Sequence, residues 1–274
     1  MLAQDYYTTH SALTDPRQYA YLFNDLPDDL PGLCQCVRNI YRHYMSDSKI
    51  PRTRKREADA RYMPNMLQIV VRHDSRPLTI ERPKDKRFVG CCRDAALLLC
   101  AMLRHKGLPA RTRVGFAAYI RPGVHVPGFY VDHVVTEYWD DARWKLADAE
   151  QDAALIRYNQ LDFDVLDIPR HQFVVGGMAW QQCRAGHMHP NNFGDHPHDQ
   201  FFRGWWAIRN RHLHDLATLS KTELLLWDTW TLMNLNDKPT PADEQILDRL
   251  AGLTQAGDEA FAELRGIWIA LQSP

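Results

Sequence analysis

The sequence predicts an α+β fold: a small antiparallel sheet set between helical N- and C-terminal flanks, with one buried central helix. Three observations predict it. β-Branched and aromatic residues gather in a single stretch, "ARTRVGFAAYI" and "FYVDHVVTEYW" followed by "RWKLADAE" (110–150). On both sides of that stretch apolar residues recur at helical spacing. Between the flank and the strands, "CRDAALLLCAMLRH" (Cys92–His105) is apolar almost all the way round, as a buried helix is.

Taken in order, Thr14 or Asp15 caps a first helix with Pro16 at its first position. In the second, Leu30, Leu33, Cys34, Val37, Ile40, Tyr41 and Tyr44 share a stripe, which makes Cys34 a core residue. A third covers Asn65 to Val71, started by Pro64, and "DSRPLTIERPKDKRFVG" approaches the central helix irregularly. The central helix runs from about Cys92 to His105 and stops at Gly107, with Pro109 beyond. After the strands, Asp167 and Pro169 start a helix to about Arg184, stopped by Gly186. "SKTE" (Ser220–Glu223) reads as a capping box ahead of "LLLWDTWTLM". Thr240 and Pro241 start another helix, and the last places Phe261, Leu264, Trp268 and Leu271 on one face. The expected organisation is one domain over 1–274: an N-terminal helical flank (1–87), a core (88–150) and a C-terminal helical flank (151–274).

Composition excludes several classes of partner. The net charge is −1, and the one basic run, "PRTRKREADAR", is interleaved with acids, so no phosphate-binding patch and no nucleic-acid partner are expected. There is no basic segment leading into an apolar one at the start, and no stretch of ~18 apolar residues, so neither signal peptide nor membrane partner is expected. The six cysteines show no C-x-x-C spacing, and adjacent cysteines such as Cys91 and Cys92 bridge only with strain. A reduced, cytoplasmic protein is the expectation.

The chemistry gathers at "RFVGCCRDAALLLCAMLRHKGLPAR". A thiol in the first turn of a helix feels the positive end of its dipole, which favours the nucleophilic thiolate. Gly90 would let the backbone turn sharply into that helix. A nucleophilic cysteine needs a base and a group that orients the base, and a hairpin count finds a candidate pair. If Asp140-Asp141 is a two-residue turn, Trp139 faces Ala142 and His133 lies opposite Asp148. If the loop has four residues, Trp139 faces Trp144 and the pair becomes diagonal. Both registers leave the two side chains on one face, within about 5–8 Å at Cβ.

At these residues the chain resembles the transglutaminase-like superfamily. The pattern comprises Gly90, Cys92, Arg93, Asp94 and Ala96, then Leu103, Arg104, Gly107, Pro109, Ala110 and Arg111. Gly115, Phe116, His133, Glu137, Trp144 and Asp148 complete it, and the flanks are similar to those of a bacterial group of such proteins. The resemblance implies a papain-like core in which the cysteine helix packs on the small sheet. It implies Cys92 rather than Cys91 as nucleophile, His133 as base and later acid, and Asp148 as its orienting partner. The implied reaction is acyl transfer without a cofactor. The donor would be a small molecule, a peptide or a carrier-protein thioester, and the acceptor an amine. A peptidase or amidase with the same triad, and a non-catalytic peptide- or partner-binding module, are the alternatives.

The chain departs from the family pattern in three places. Val134 follows His133, the third motif reads Asp148-Ala149-Glu150, and no tryptophan precedes Trp139. The backbone N–H of Cys92 can still supply one oxyanion donor, and Asn65 or Gln68 would be the second. Cys100 is expected in the core, Arg93–Asp94 as a pair that positions loops, and Glu137 in a salt bridge to an arginine. "CRAGHMHPNNFGDHPHDQ" offers Cys183, His187, His189, His196 and His198, with His212 and His214 nearby. The spacing matches no zinc pattern, so a polar loop without metal is expected there.

Overall fold

The computed structural model describes residues 2–121, 126–229, 231–233 and 239–272. The chain forms two compact units, Met1–Thr112 with Val135–Ile168 and Arg113–Val134 with Pro169–Pro274.

The first unit contains helices α1 (Ala3–Thr8), α2 (Leu30–Ile40), α3 (Arg52–Lys55), α4 (Met63–His73), α5 (Cys92–His105) and α6 (Ala153–Asn159). Strand β1 (Tyr41–His43) pairs in parallel with β2 (Phe88–Gly90). Strands β3 (Ala110–Ala117) and β4 (Tyr130–Trp139) pass from one unit to the other, and β5 (Trp144–Ala147) pairs antiparallel with β4. In this unit the strand order is β5-β4-β3.

The predicted central helix is present with its predicted bounds. Every side chain of α5 from Cys92 to Arg104 is buried. Full burial of a leucine contributes roughly 1.5–3 kcal/mol, and Leu97, Leu98, Leu99 and Leu103 all lie in this core. They pack with Leu33, Cys34, Val37 and Ile40 of α2 and with Met63, Met66, Leu67 and Val70 of α4. Cys100 is buried in the same cluster, as expected. Gly107 ends the helix at φ +77° while Leu108 N–H reaches back to Leu103 O at 3.0 Å. Thr136 Oγ1 donates to Ala96 O at 2.9 Å, which seats α5 on β4.

Two expectations in this unit are corrected. Arg17–Phe23 is a 3₁₀ helix, because Ser11 and Thr14 close a turn on themselves and Asp15 Oδ1 caps Arg17 N–H. The stripe of α2 does not extend to Tyr44. The helix stops at Ile40, and Tyr41–His43 leave it to pair with Phe88–Gly90. Helical spacing within 41–44 was outweighed by a strand partner 47 residues downstream.

The second unit adds β6 (Phe173–Val175), α7 (Gly176–Arg184), β7 (Phe193–Gly194), α8 (Trp205–Leu219), α9 (Pro241–Gln255) and α10 (Phe261–Gln272). β6 pairs antiparallel with Gly115–Ala117 of β3, and β7 pairs in parallel with Tyr130 and Val131 of β4. Thr240 caps α9 as predicted, with its side chain accepting from Asp243 N–H at 3.2 Å. Phe261, Leu264 and Trp268 of α10 are buried and Leu271 packs beside them. α7 crosses α8 closely: a Cβ on Gly176 would lie 2.3 Å from His212 N.

Here too the sequence reading is corrected twice. Pro169 starts a turn, with Gln172 N–H on Pro169 O at 2.8 Å, and the β-branched Val174 and Val175 form a strand before α7 begins. "SKTE" is a helix end. Lys221 adopts φ +56°, Lys221 N–H bonds Thr218 O at 2.9 Å and Thr222 N–H bonds Ala217 O at 2.9 Å, closing α8 with a Schellman turn. Leu224 to Asp228 form turns rather than a helix, and residue 230 of that expected helix lies outside the described residues.

Candidate active site

Cys92 is the first residue of α5, with Cys91 as the cap in extended conformation. At this position the backbone N–H groups point out of the helix instead of joining its hydrogen-bond ladder. Asp94 fixes the entry: its Oδ2 accepts Cys91 N–H at 2.9 Å and its Oδ1 accepts Arg93 Nη1 at 2.9 Å. Arg93 Nη2 in turn donates to Arg61 O at 2.9 Å. The pair therefore positions loops, as expected. Burial raises the Asp94 carboxyl above its ordinary value, against the pull of Arg93.

Gly90 serves this arrangement differently from the expectation. It lies in strand β2, and a Cβ there would come within 2.7 Å of Asp94 Oδ2 and of the Phe88 ring. The glycine is required by close approach rather than by a turn.

β4 and β5 meet in the four-residue-loop register, with Trp139 facing Trp144 and Thr136 facing Ala147. Of the two turn lengths considered, the longer is present, and the same count sets residue 148 against Val135. His133 lies two residues earlier on β4 and so on the side of Val135. Asp148 is 2% exposed. Its Oδ1 accepts Glu150 N–H at 3.0 Å and its Oδ2 accepts Gln151 Nε2 at 3.0 Å. Asn159 of α6 donates to Gln151 Oε1 at 3.2 Å, and Asp148 N–H bonds Val165 O at 2.9 Å. This carboxylate is held by a relay of amides that sequence reading missed. Only a glutamine three residues after an aspartate signalled it.

His133 belongs to the second unit and is 2% exposed. The Tyr119 ring meets its imidazole edge-on, with centroids 6.1 Å apart and planes at 89°. The neighbouring Asp132 points to the other face of β4, where its Oδ2 accepts Arg211 Nε at 2.6 Å. That ion pair ties the strand position before His133 to α8.

The remaining candidates fall into place unit by unit. Glu137 Oε2 accepts Arg111 Nε at 2.6 Å, the expected salt bridge, and the Arg111 guanidinium lies 4.0 Å from the Trp144 ring centroid. Asn65 and Gln68 sit on the exposed side of α4, whose inner face is Met63, Met66, Leu67 and Val70, so neither is placed as an oxyanion donor. Among the described residues, no three of Cys183, His187, His189, His196 and His198 converge on a metal-ligating point. His189 Nδ1 and His196 Nδ1 instead accept the backbone N–H groups of Asn191 and His198, each at 3.2 Å.

His212 and His214 are fully buried on α8. Burial pushes His212 down to about 4, and it pushes His214, which Arg211 also opposes, down to about 3. The unfolded chain takes up these protons near 6.5, whereas the folded chain refuses them until well below 5. Stability carried by the neutral imidazoles is therefore complete above 6.5 and declines as pH falls. The urea midpoint is expected to drop between pH 7 and pH 5, above the range where carboxylates titrate. A midpoint flat over that window would contradict the burial of these imidazoles.

Residues 71–149 match the family model described as transglutaminase-like superfamily. A solved structure from Cytophaga hutchinsonii, described as a "putative cysteine protease", is similar over 62% of this chain and 45% of its own, with 14% identity and a TM-score of 0.37. The present chain thus spans less than half of that protein's length. No curated protein sequence matches the chain. The match begins inside α4 and ends one residue past Asp148, so the chain carries the core of the transglutaminase-like superfamily across all three candidate positions, Cys92, His133 and Asp148.

Proposed function

We propose that this protein is a cysteine-dependent acyltransferase that works through a Cys92 thioester. The observation that carries the reading is the place of Cys92: first residue of a buried helix, at the dipole's positive end. His133 is the general base and then acid, and Asp148 holds its tautomer.

The Cys92 thiolate attacks the carbonyl of an amide, ester or thioester donor. A C–S bond forms, and the leaving amine, alcohol or thiol departs with the imidazolium proton. An amine then attacks the thioester carbon, surrenders a proton to His133 and expels the thiolate. Water in the amine's place gives hydrolysis, and the ratio of the two products separates acyltransferase from hydrolase. Free peptides, small esters and acylated carrier proteins are all donors that suit this chemistry.

Thiol alkylation tests the reading directly, because the other cysteines form a built-in contrast. Burial pushes Cys34 up to about 12, Cys36 to about 11 and Cys183 to about 11, so these stay protonated and slow. With iodoacetamide across pH 4–9 and adducts mapped by mass spectrometry, Cys92 is expected to react first. Its reactivity should persist below the ~8.5 of a free thiol and fall in His133→Ala. Equal rates at Cys92 and Cys183 would sink the proposal.

A further inference from the structure

The turn after Asp148 carries a second carboxylate. Glu150 is partly exposed while Asp148 and Tyr41 beside it are buried. The Tyr41 hydroxyl donates to Glu150 Oε1. Tyr41 opens β1, the strand that pairs in parallel with β2, and β2 leads directly into Cys91 and Cys92. Tyr44 N–H on Gly90 O at 2.8 Å extends the pairing to the residue before Cys91. One phenol thus joins the approach to the nucleophile with the turn that holds Asp148.

Burial, then Glu150, then the two thiols Cys91 and Cys92 keep the Tyr41 phenol protonated far above its ordinary range. Tyr41 is therefore a neutral donor, and Glu150 keeps its charge. Both sulfurs lie within electrostatic reach of the same phenol. A carboxylate in that neighbourhood works against a thiolate, so it does not serve to activate Cys92. The nearby cation Arg38 spends one nitrogen on Ala149 O at 3.3 Å and two on Gln35 Oε1, at 3.0 and 3.3 Å. What a fixed, partly exposed carboxylate does well is hold a cation arriving from solvent.

We infer that Glu150, oriented by Tyr41, is the specificity residue for the acyl acceptor and selects amines that arrive as ammonium ions. This rests on the acyl-transfer reading above. The ammonium docks on the carboxylate and releases one proton to solvent. The neutral amine then attacks the thioester, its second proton passes to His133, the C–N bond forms and the C–S bond breaks. The pair replaces the Asp-Pro of the family pattern, which has no carboxylate two residues after the aspartate.

The test uses the whole protein acylated by p-nitrophenyl acetate at pH 7.5 and offers two acceptors together: n-butylamine, an ammonium at that pH, and methoxyamine, which is neutral. The readout is the ratio of the two N-acetyl products, which cancels any change in acyl-enzyme formation. In Glu150→Gln, which keeps an oxygen for the Tyr41 hydroxyl, the butylamine-to-methoxyamine ratio is expected to fall about tenfold, the scale of one partly screened charge pair. Tyr41→Phe should lower it by a smaller factor. An unchanged ratio in Glu150→Gln overturns the assignment. Absence of a Cys92-dependent nitrophenolate burst in the wild type would instead show that the acyl-enzyme reading itself had failed, and the assignment with it.

Discussion

Replacing Asp215 by alanine is expected to destabilise the protein by about 3–5 kcal/mol, the range for stranding one member of a buried ion pair. Asp215 is wholly buried on α8 and takes Arg113 with both oxygens, Nε to Oδ1 at 2.9 Å and Nη2 to Oδ2 at 2.8 Å. Oδ1 also accepts Val114 N–H at 2.9 Å, and Arg113 Nη2 reaches Thr254 O on α9 at 3.1 Å. Alanine would leave a guanidinium buried without its countercharge and a strand N–H without its acceptor, each an expensive loss. The same substitution would unclip β3 from α8. Urea unfolding measures it. The double variant Arg113→Met with Asp215→Leu should recover most of the loss, because the desolvation of both charges disappears with them. A loss under about 1 kcal/mol for Asp215→Ala would show that water replaces the carboxylate, contrary to its burial.

α8 also marks where the sequence was hard to read. Its residues 205–219 alternate aromatic, cationic and apolar types with no clean amphipathic stripe, yet the side chains from Ala207 to Leu219 are all buried. Periodicity finds helices that hide one face. It fails for a helix whose buried charges are satisfied by ion pairs with residues about 80 to 100 positions away, as Arg211 is by Asp132 and Asp215 by Arg113. α5 is the opposite case: continuous apolar sequence, Gly107 at the stop and an uninterrupted apolar core made its bounds legible. The errors at Tyr41, Pro169 and Ser220 share a cause. Local signals for helix starts and stops are read without knowing which strand or turn competes for the same backbone groups.

The candidate site divides along the same line. Cys92 and the face shared by Val135 and Asp148 followed from a helix start and a strand count, because period-two alternation survives a change of loop length by two. The four-residue loop itself, Gln151, Asn159 and Tyr41 did not. Their roles depend on side chains brought together across 8 to 109 residues, as Asn159 is to Gln151 and Tyr41 to Glu150. Glu150 was visible only as a departure from the family's motif, a difference without a meaning until the phenol was found against it.

Asp148→Asn is expected to lower kcat/KM for an activated ester by about 10³–10⁴ while leaving thermal stability within about 1 kcal/mol, if Asp148 orients the His133 imidazole. The substitution is nearly isosteric, and one amide oxygen can still accept Glu150 N–H as Oδ1 now does at 3.0 Å. The other position becomes an NH₂, which meets the Gln151 Nε2 donor 3.0 Å away until that amide flips. A flip costs Gln151 its present hydrogen bond from Asn159, a loss of roughly 1 kcal/mol. An asparagine offers no charge to stabilise an imidazolium, and its NH₂ favours the tautomer that cannot take the thiol proton. Two readouts separate the cases: ester turnover with the alkylation rate of Cys92, and the urea midpoint. Turnover lost with stability kept assigns Asp148 to the chemistry. Turnover retained would confine it to the turn with Gln151 and Val165, and Glu150 would be the carboxylate to test next.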